Sequence, residues 1–283
     1  MAALTAWASF AAGVATEDLE IELLLEALFQ RYGVDFRGYA RPALRRKLGE
    51  LMRALQVGTL SALQERVLHQ GGAAAQVMRA LSVEPSAPFA EPRHARQLRE
   101  VLVPALRSSA LPRVWLAECA GVGEAWSLAI LLAEANLAAR TEVYATVSNE
   151  EMLAEARDAT LPAAELARYQ QDYESSGGGG KLAEYFDVSD DRASLLPELK
   201  SHITWAQYSL VTDASFNEFQ AIVCCRALPD FGPVLRQRVL RLFHESLAPF
   251  GVLGIDKPLT ASDALCDRYL QLAPGQPWYK RVG

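Results

Sequence analysis

From residue 19 to residue 84 the apolar positions recur at helical spacing, and only two glycine-punctuated breaks interrupt them, near Tyr32-Gly33 and Val57-Gly58. This periodicity predicts an all-helical N-terminal domain over 19–84, preceded by an extension at 1–18. Within it, Leu44, Leu48, Leu51, Met52 and Leu55 stand at i, i+4, i+7, i+8 and i+11, one helical stripe made for burial. Residues 83–92 hold three prolines and predict an extended linker ahead of a helix over 94–106, so 85–110 connects two regions. Beyond residue 111 the pattern changes. Short apolar runs at 113–119, 142–147, 221–225 and 251–255 alternate with helical segments at 124–136, 150–158 and 234–247. That alternation predicts a mostly parallel sheet with helices on its faces, a Rossmann-like α/β domain over 111–283. The stretch 172–204 has no strong periodicity and interrupts the alternation as an insertion. Its four consecutive glycines at 177–180 read as a disordered loop, the alternative being a flexible part of the insertion.

Composition narrows the class. The chain has 283 residues, 51% of them hydrophobic, enough to bury a sizeable core. No window offers the roughly 18 uninterrupted apolar residues of a membrane span, because even the segment 128–138 carries Glu134 and Asn136. The first fifteen residues are apolar and alanine-rich, but the first basic residue is Arg31, so the positive start of a secretory signal is missing and a cytoplasmic protein without membrane insertion is expected. Cysteines 119, 224, 225 and 266 show neither CxxC nor Cys/His ligand spacing, so free thiols and no metal site are expected. The net charge of −6 argues against nucleic acid as a partner. Against that background, residues 30–66 hold eight basic side chains and three acids. Arg41, Arg45, Arg46 and Arg53 share the helix that carries the leucine stripe, and they read either as a solvated face or as a surface for an acidic partner.

The candidate chemistry lies where the first strand, Val114 to Ala117, runs through Glu118-Cys119-Ala120-Gly121-Val122-Gly123-Glu124 into a helix. In a doubly wound sheet this turn receives nucleotide-like ligands, since glycine permits close backbone approach and helix amides face the site. Two glycines in a turn are as often purely structural. The next strand ends at Val147-Ser148-Asn149, and no acid able to hold ribose hydroxyls stands there before Glu150. His69, His94, His202 and His244 are scattered without a paired Ser or Cys nucleophile, which disfavours a hydrolase. Trp115 and Trp126 read as core, and Ser127 as a helix-packing residue.

Taken in order and spacing, a set of segments resembles the CheR-type family, chemotaxis methyltransferases that transfer a methyl group from S-adenosylmethionine (SAM) to receptor glutamates. The segments are Tyr32-Gly33-Val34-Asp35-Phe36 with Leu44-Arg45-Arg46, Phe89-Ala90-Glu91-Pro92, Trp115 to Cys119 with Glu124 to Ala129, and Arg238 to Pro249. The resemblance covers about residues 21–280 and implies a Rossmann-like methyltransferase domain with a small inserted antiparallel subdomain, near 172–204, behind the all-helical domain. It also implies SAM or S-adenosylhomocysteine (SAH) as cofactor, held by Ser86, Gly121, Gly123 and Glu124. A chemoreceptor or other signalling protein would then be the partner of Arg41, Arg45, Arg46 and Arg53.

The departures from the family pattern fall in one pocket. For Thr-x-Phe-Phe-Arg the chain has Ser86-Ala87-Pro88-Phe89-Ala90, so the family's arginine is an alanine. For Gly-Cys-Ser-Thr-Gly-Glu-Glu it has Glu118 to Glu124, and only Glu124 keeps both type and place. The family's ribose-binding acid is Val147. In the fourth strand the aspartate is Gln220, and the asparagine is Arg226, or Ala227 with one gap. No catalytic side chain is assigned. The leading expectation is a CheR-like homologue with impaired or lost SAM binding, acting as a protein-binding module. The alternatives are an active protein-glutamate O-methyltransferase and a pocket that takes a cationic or neutral small molecule beside Glu118.

Overall fold

The computed structural model describes residues 16–282; the apolar first fifteen residues of the expected extension lie outside the described residues. The chain divides into two compact units, one running to Ser82 and including Pro229–Leu235, the other formed by Val83–Leu228 and Arg236–Gly283.

The first unit is helical: α1 (Thr16–Tyr32), α2 (Arg41–Leu55), α3 (Leu60–His69) and α4 (Ala73–Leu81). Ile21, Leu24, Leu28, Leu44, Leu48 and Val77 make its core, and Leu51, Met52 and Leu55 of the predicted stripe pack against it. The sequence reading expects two breaks and the structure has a third, at Gly71-Gly72, where Gly72 adopts φ +83 before α4, a left-handed conformation that glycine takes without a Cβ clash. Thr59 caps α3 by accepting a bond from Ala62 N at 3.1 Å. Lys47, one of the basic side chains of α2, is 7% exposed. Its ammonium donates to the carbonyls of Leu81 (3.0 Å) and Ser82 (2.7 Å) at the end of α4, and meets Asp230 at 2.7 Å.

The second unit opens with α5 (Pro92–Gln97), which passes through a π turn (Leu98–Leu102) into α6 (Val103–Leu106). Pro104 has no amide to offer the preceding turn, and the ladder widens so that Val103 N–H reaches Leu98 O. Then follow β1 (Arg113–Leu116), α7 (Gly123–Glu134), β2 (Glu142–Val147), α8 (Glu150–Arg157), β3 (Leu161–Pro162), α9 (Leu166–Ser175), β4 (Phe186–Ser189), β5 (Arg192–Leu195), α10 (Pro197–Lys200), β6 (Ile203–Gln207), β7 (Phe219–Cys224), α11 (Pro233–Ser246), β8 (Leu247–Ile255), β9 (Tyr269–Gln271) and β10 (Trp278–Arg281). A seven-stranded sheet has the order β6-β2-β1-β7-β8-β10-β9. Its first five strands are parallel, and β10 and β9 are antiparallel additions at one edge. This is the predicted Rossmann-like α/β architecture. Helix α7 is apolar all round, and every residue from Ala125 to Leu132 is buried. Trp115 and Trp126 are core, as their strand and helix positions suggest.

A second, three-stranded antiparallel sheet, β3-β5-β4, stands between β2 and β6. It spans 161–195, beginning before the insertion read from the sequence, because the amphipathic α9 belongs to it as well. The glycine run is a built turn. Gly177 N and Gly178 N close the end of α9 on the carbonyls of Glu174 and Tyr173 at 2.9 and 3.0 Å. A Cβ on Gly178 would meet the Tyr173 ring at 2.3 Å, so the ring fits only against glycine. The Tyr173 hydroxyl in turn donates to Glu134 of α7.

Candidate functional site

The strand order reverses between β1 and β7, and in open α/β sheets ligands bind at such a switch, beyond the carboxyl ends of the strands. The turn after β1 is held by its neighbours: Ala117 N donates to Val223 O of β7 (2.8 Å) and Cys119 N to Thr146 O of β2 (2.7 Å). Between them Glu118 has φ +57, a region that suits glycine, and its side chain is 7% exposed. The segment 85–87 crosses the turn. A Cβ on Gly123 would lie 2.2 Å from Ser86 O and 2.5 Å from Ala87 O, and Gly121, at φ +68, faces Pro85. Gly123 is therefore demanded by the chain's own backbone, whereas at Gly121 it is the left-handed φ that favours glycine. Ser127 ties the same crossing down, donating to Gly123 O (2.7 Å) and accepting from Phe89 N (2.8 Å), the packing role read from its helix position.

A small cleft with a cavity volume of about 30 Å³ opens beside this crossing. Ser86 and Glu124 of the expected cofactor set line it, together with Ala90, Glu91, His94, Cys225 and Arg226; Gly121 and Gly123 do not. Ala90 and Arg226 face the same space, and the Arg226 guanidinium lies 3.9 Å from Glu91. At the end of β2, Val147 is 0% exposed and its carbonyl accepts from Tyr208 N at 2.9 Å.

His94 Nε2 and Glu124 Oε1 are 2.9 Å apart. Burial acts against the imidazolium, but the Glu124 hydrogen bond and charge, with Glu91, outweigh it and raise the His94 pKa above its ordinary value. Burial, reinforced by the Glu124 carboxylate, pushes the Cys225 thiol far up, so it is no thiolate nucleophile. The sequence reading places no cysteine or carboxylate beside His94; the fold brings both there, from positions 30 and 131 residues away. The signal available in the sequence was positional: Cys225 and Arg226 follow directly on a central strand, at the sheet edge where ligands bind.

The basic face of α2 is largely neutralised within its own unit. Arg41 meets Glu22 at 2.6 Å, Arg45 meets Asp18 at 2.6 Å and Glu17 at 3.8 Å, and Arg46 lies 3.5 Å from Glu50 and 3.7 Å from Asp230. Arg53 reaches the Gly49 carbonyl at 3.2 Å. A charge count over 30–66 leaves out the acids of α1, which fold back onto these arginines.

A parallel sheet with its cavity at the switch point, interrupted by a small antiparallel sheet and preceded by a helical module, defines a Rossmann-like methyltransferase domain behind an all-helical domain. Residues 85–258 match the model described as CheR methyltransferase, SAM binding domain, and residues 19–82 match that of the CheR methyltransferase all-alpha domain. The chain belongs to the CheR methyltransferase family. It is 36% identical over 266 residues to a Pseudomonas putida protein named "Putative methyltransferase Cher3", covering 93% of this chain and 97% of that one. It is 27% identical over 143 residues, about half of each chain, to the "Chemotaxis protein methyltransferase" of Listeria innocua. The solved N-methyltransferase NodS from Bradyrhizobium japonicum WM9 aligns at 14% identity and a TM-score of 0.36, covering 69% of this chain and 97% of that one. Among the described residues no helix is long and apolar enough to cross a membrane.

Proposed function

We propose that this CheR-family chain is a methyltransferase homologue with an impaired SAM site, working in the cytoplasm as a protein-binding module of chemosensory or related signalling. The observation that carries the reading is Val147, fully buried at the end of β2 where the resemblance expects a ribose-binding acid. A charged acceptor lost there removes hydrogen bonds worth about 1.5–3 kcal/mol, roughly ten- to hundredfold in affinity. Glu118 supports the same reading, since a buried carboxylate in a glycine-like conformation adds negative charge at the position where the family has glycine. Ser86 and Glu124 are the expected cofactor residues that line the cavity. The partner is a chemoreceptor or another signalling protein, approached through Arg41, Arg45, Arg46 and Arg53 of α2.

A second reading, an active SAM-dependent protein-glutamate O-methyltransferase, has one observation in its favour. Arg226 lines the cavity beside Ala90, so a guanidinium stands near the place where the family's arginine is missing. The cofactor would supply an electrophilic methyl group. A substrate carboxylate needs no strong base to attack it, so the chain's contribution is to position the two and exclude water.

Calorimetric titration of SAM and SAH into the full chain, up to millimolar ligand, separates the readings. The proposal expects no micromolar binding by the natural sequence and a gain on Glu118→Gly with Val147→Asp, the first of which also suits φ +57. Micromolar binding by the natural sequence would overturn it and favour the active enzyme.

A further inference from the structure

Three donors of different chemistry converge in the cavity. A ring nitrogen of His94, a carboxylate oxygen of Glu124 and the Cys225 sulfur all lie within 4.8 Å of one another. They come from α5, from the first turn of α7 and from the residue after β7. Zinc–ligand bonds of about 2.0–2.3 Å set donor pairs of a tetrahedral site roughly 3.3–3.8 Å apart, so side-chain shifts of up to about an ångström, closing the wider separations and opening the His94–Glu124 pair, bring all three onto one ion. His94 and Glu124 have already met, at 2.9 Å, with a proton where an ion would sit.

The donors sit on packed elements that limit their movement. The His94 ring lies near-parallel to Trp278, centroids 6.2 Å apart, and the Trp278 indole N–H donates to Gln97 Oε1 at 2.9 Å. Glu124 sits one residue after Gly123, whose place under the 85–87 crossing tolerates no side chain. Cys225 follows a strand in the middle of the sheet. The charges balance as well. The free Cys225 is a thiol, and a bound ion would displace its proton to solvent; one thiolate and one carboxylate then neutralise a divalent ion, while the nearby Arg226 lies 3.9 Å from Glu91. A mixed imidazole, thiolate and carboxylate set suits zinc-like ions and not magnesium or calcium, which take oxygen donors.

We propose that His94, Glu124 and Cys225 form a three-donor site for a divalent ion of the zinc class, with the fourth position open to the cavity. The site goes beyond the reading of the pocket as an impaired cofactor site and does not depend on it. Cobalt(II) titrated into the reduced full chain tests it, because a cysteine thiolate bound to cobalt gives a sulfur-to-metal charge-transfer band. The expected result is a band that saturates near one equivalent, is displaced by zinc, is lost in Cys225→Ser and persists in Cys224→Ser. His94→Gln, which removes a direct donor, should weaken cobalt binding by about 10- to 100-fold or more, at least the scale seen when a supporting partner of a ligand is removed; it keeps the test decisive should Cys225→Ser fail to fold. A folded natural chain without the band, a band that survives Cys225→Ser, or unchanged affinity in His94→Gln would each overturn the proposal. SAH titration of the same samples reads the cofactor site separately, so either idea can fail alone.

Discussion

Burial alone would take the proton from His94; Glu124 and Glu91 hold it there, and the folded pKa rises above the ordinary value. A group raised in this way contributes stability that is whole below the unfolded value of about 6.5 and is lost as pH rises through the folded value. The natural chain, kept free of divalent ions with a chelator, should therefore lose melting temperature relative to His94→Gln as pH rises from about 6.5 into the alkaline range, and run parallel to it below about 6. Melts of both proteins across that range check the sign; curves parallel throughout would remove the coupling. This residue also marks where sequence reading stops. Val147 and Glu118 are legible as departures because each can be compared with what its own strand end is expected to carry. The neighbours of His94 are 30 and 131 positions away, and no spacing rule reaches across three elements. Gly123 has a second reason to be glycine that no spacing rule shows: a glycine beside a nucleotide-type turn suggests ligand approach, and here the backbone of Ser86 and Ala87 also fills the space a Cβ would take.

The crossing of 85–87 over the start of α7 is a contact between elements, and it predicts a severe effect from a small change. Gly123→Ala sets a methyl 2.2 Å from the Ser86 carbonyl oxygen and 2.5 Å from that of Ala87, backbone that cannot swing aside as a side chain would. The cost should fall in the overpacking range of about 1–3 kcal/mol or above, read by urea denaturation, while Gly49→Ala, on α2 with nothing within 4 Å of its added Cβ, should stabilise slightly. Equal effects would mean that the crossing gives way. The basic face of α2 shows the same dependence on neighbouring elements. Reversing Arg45 to glutamate puts a carboxylate against Glu17 and Asp18, so it should cost up to about 1 kcal/mol by loosening α1 from α2, apart from any partner. Periodicity made the long elements legible: α2, β1, β2, α7 and α11 fall within a few residues of their predicted places. It missed the short ones. Strands β6, β9 and β10 are edge or near-edge strands of three to five residues, too short for an alternating pattern to stand out, and α9 with β3 extends the insertion towards the N-terminus, the buried face of α9 being carried by Leu166 and two tyrosines, Tyr169 and Tyr173, in an otherwise polar sequence.

The helical unit is made from two separated stretches of chain, and this governs how it folds. Residues 229–235 return to it after the sheet strand β7 has been made: Ala40 N donates to Asp230 O (2.8 Å), Gly232 N to Gly38 O (2.9 Å), and the Tyr39 and Phe231 rings meet edge-on at 5.1 Å. Asp230 also supplies the carboxylate for the buried Lys47. Removing one partner of a buried ion pair costs about 3–5 kcal/mol, a large part of the roughly 5–15 kcal/mol that holds a domain together. Asp230→Ala in the full chain should accordingly lower the denaturation midpoint far more than Lys47→Met with Asp230→Leu, which removes both charges together. A chain ended after Ser82 lacks the carboxylate, both backbone bonds and the aromatic contact at once. Its helices should melt well below those of the full chain, followed by circular dichroism, and restoring residues 229–235 as a peptide in excess should raise the midpoint by mass action. If the truncated helices melt as they do in the full chain, the returning segment is no part of the unit's stability. If they melt low and are rescued, the all-helical domain owes its stability to a segment that the chain reaches only after most of the parallel sheet, which couples the helical module to the completion of the methyltransferase domain.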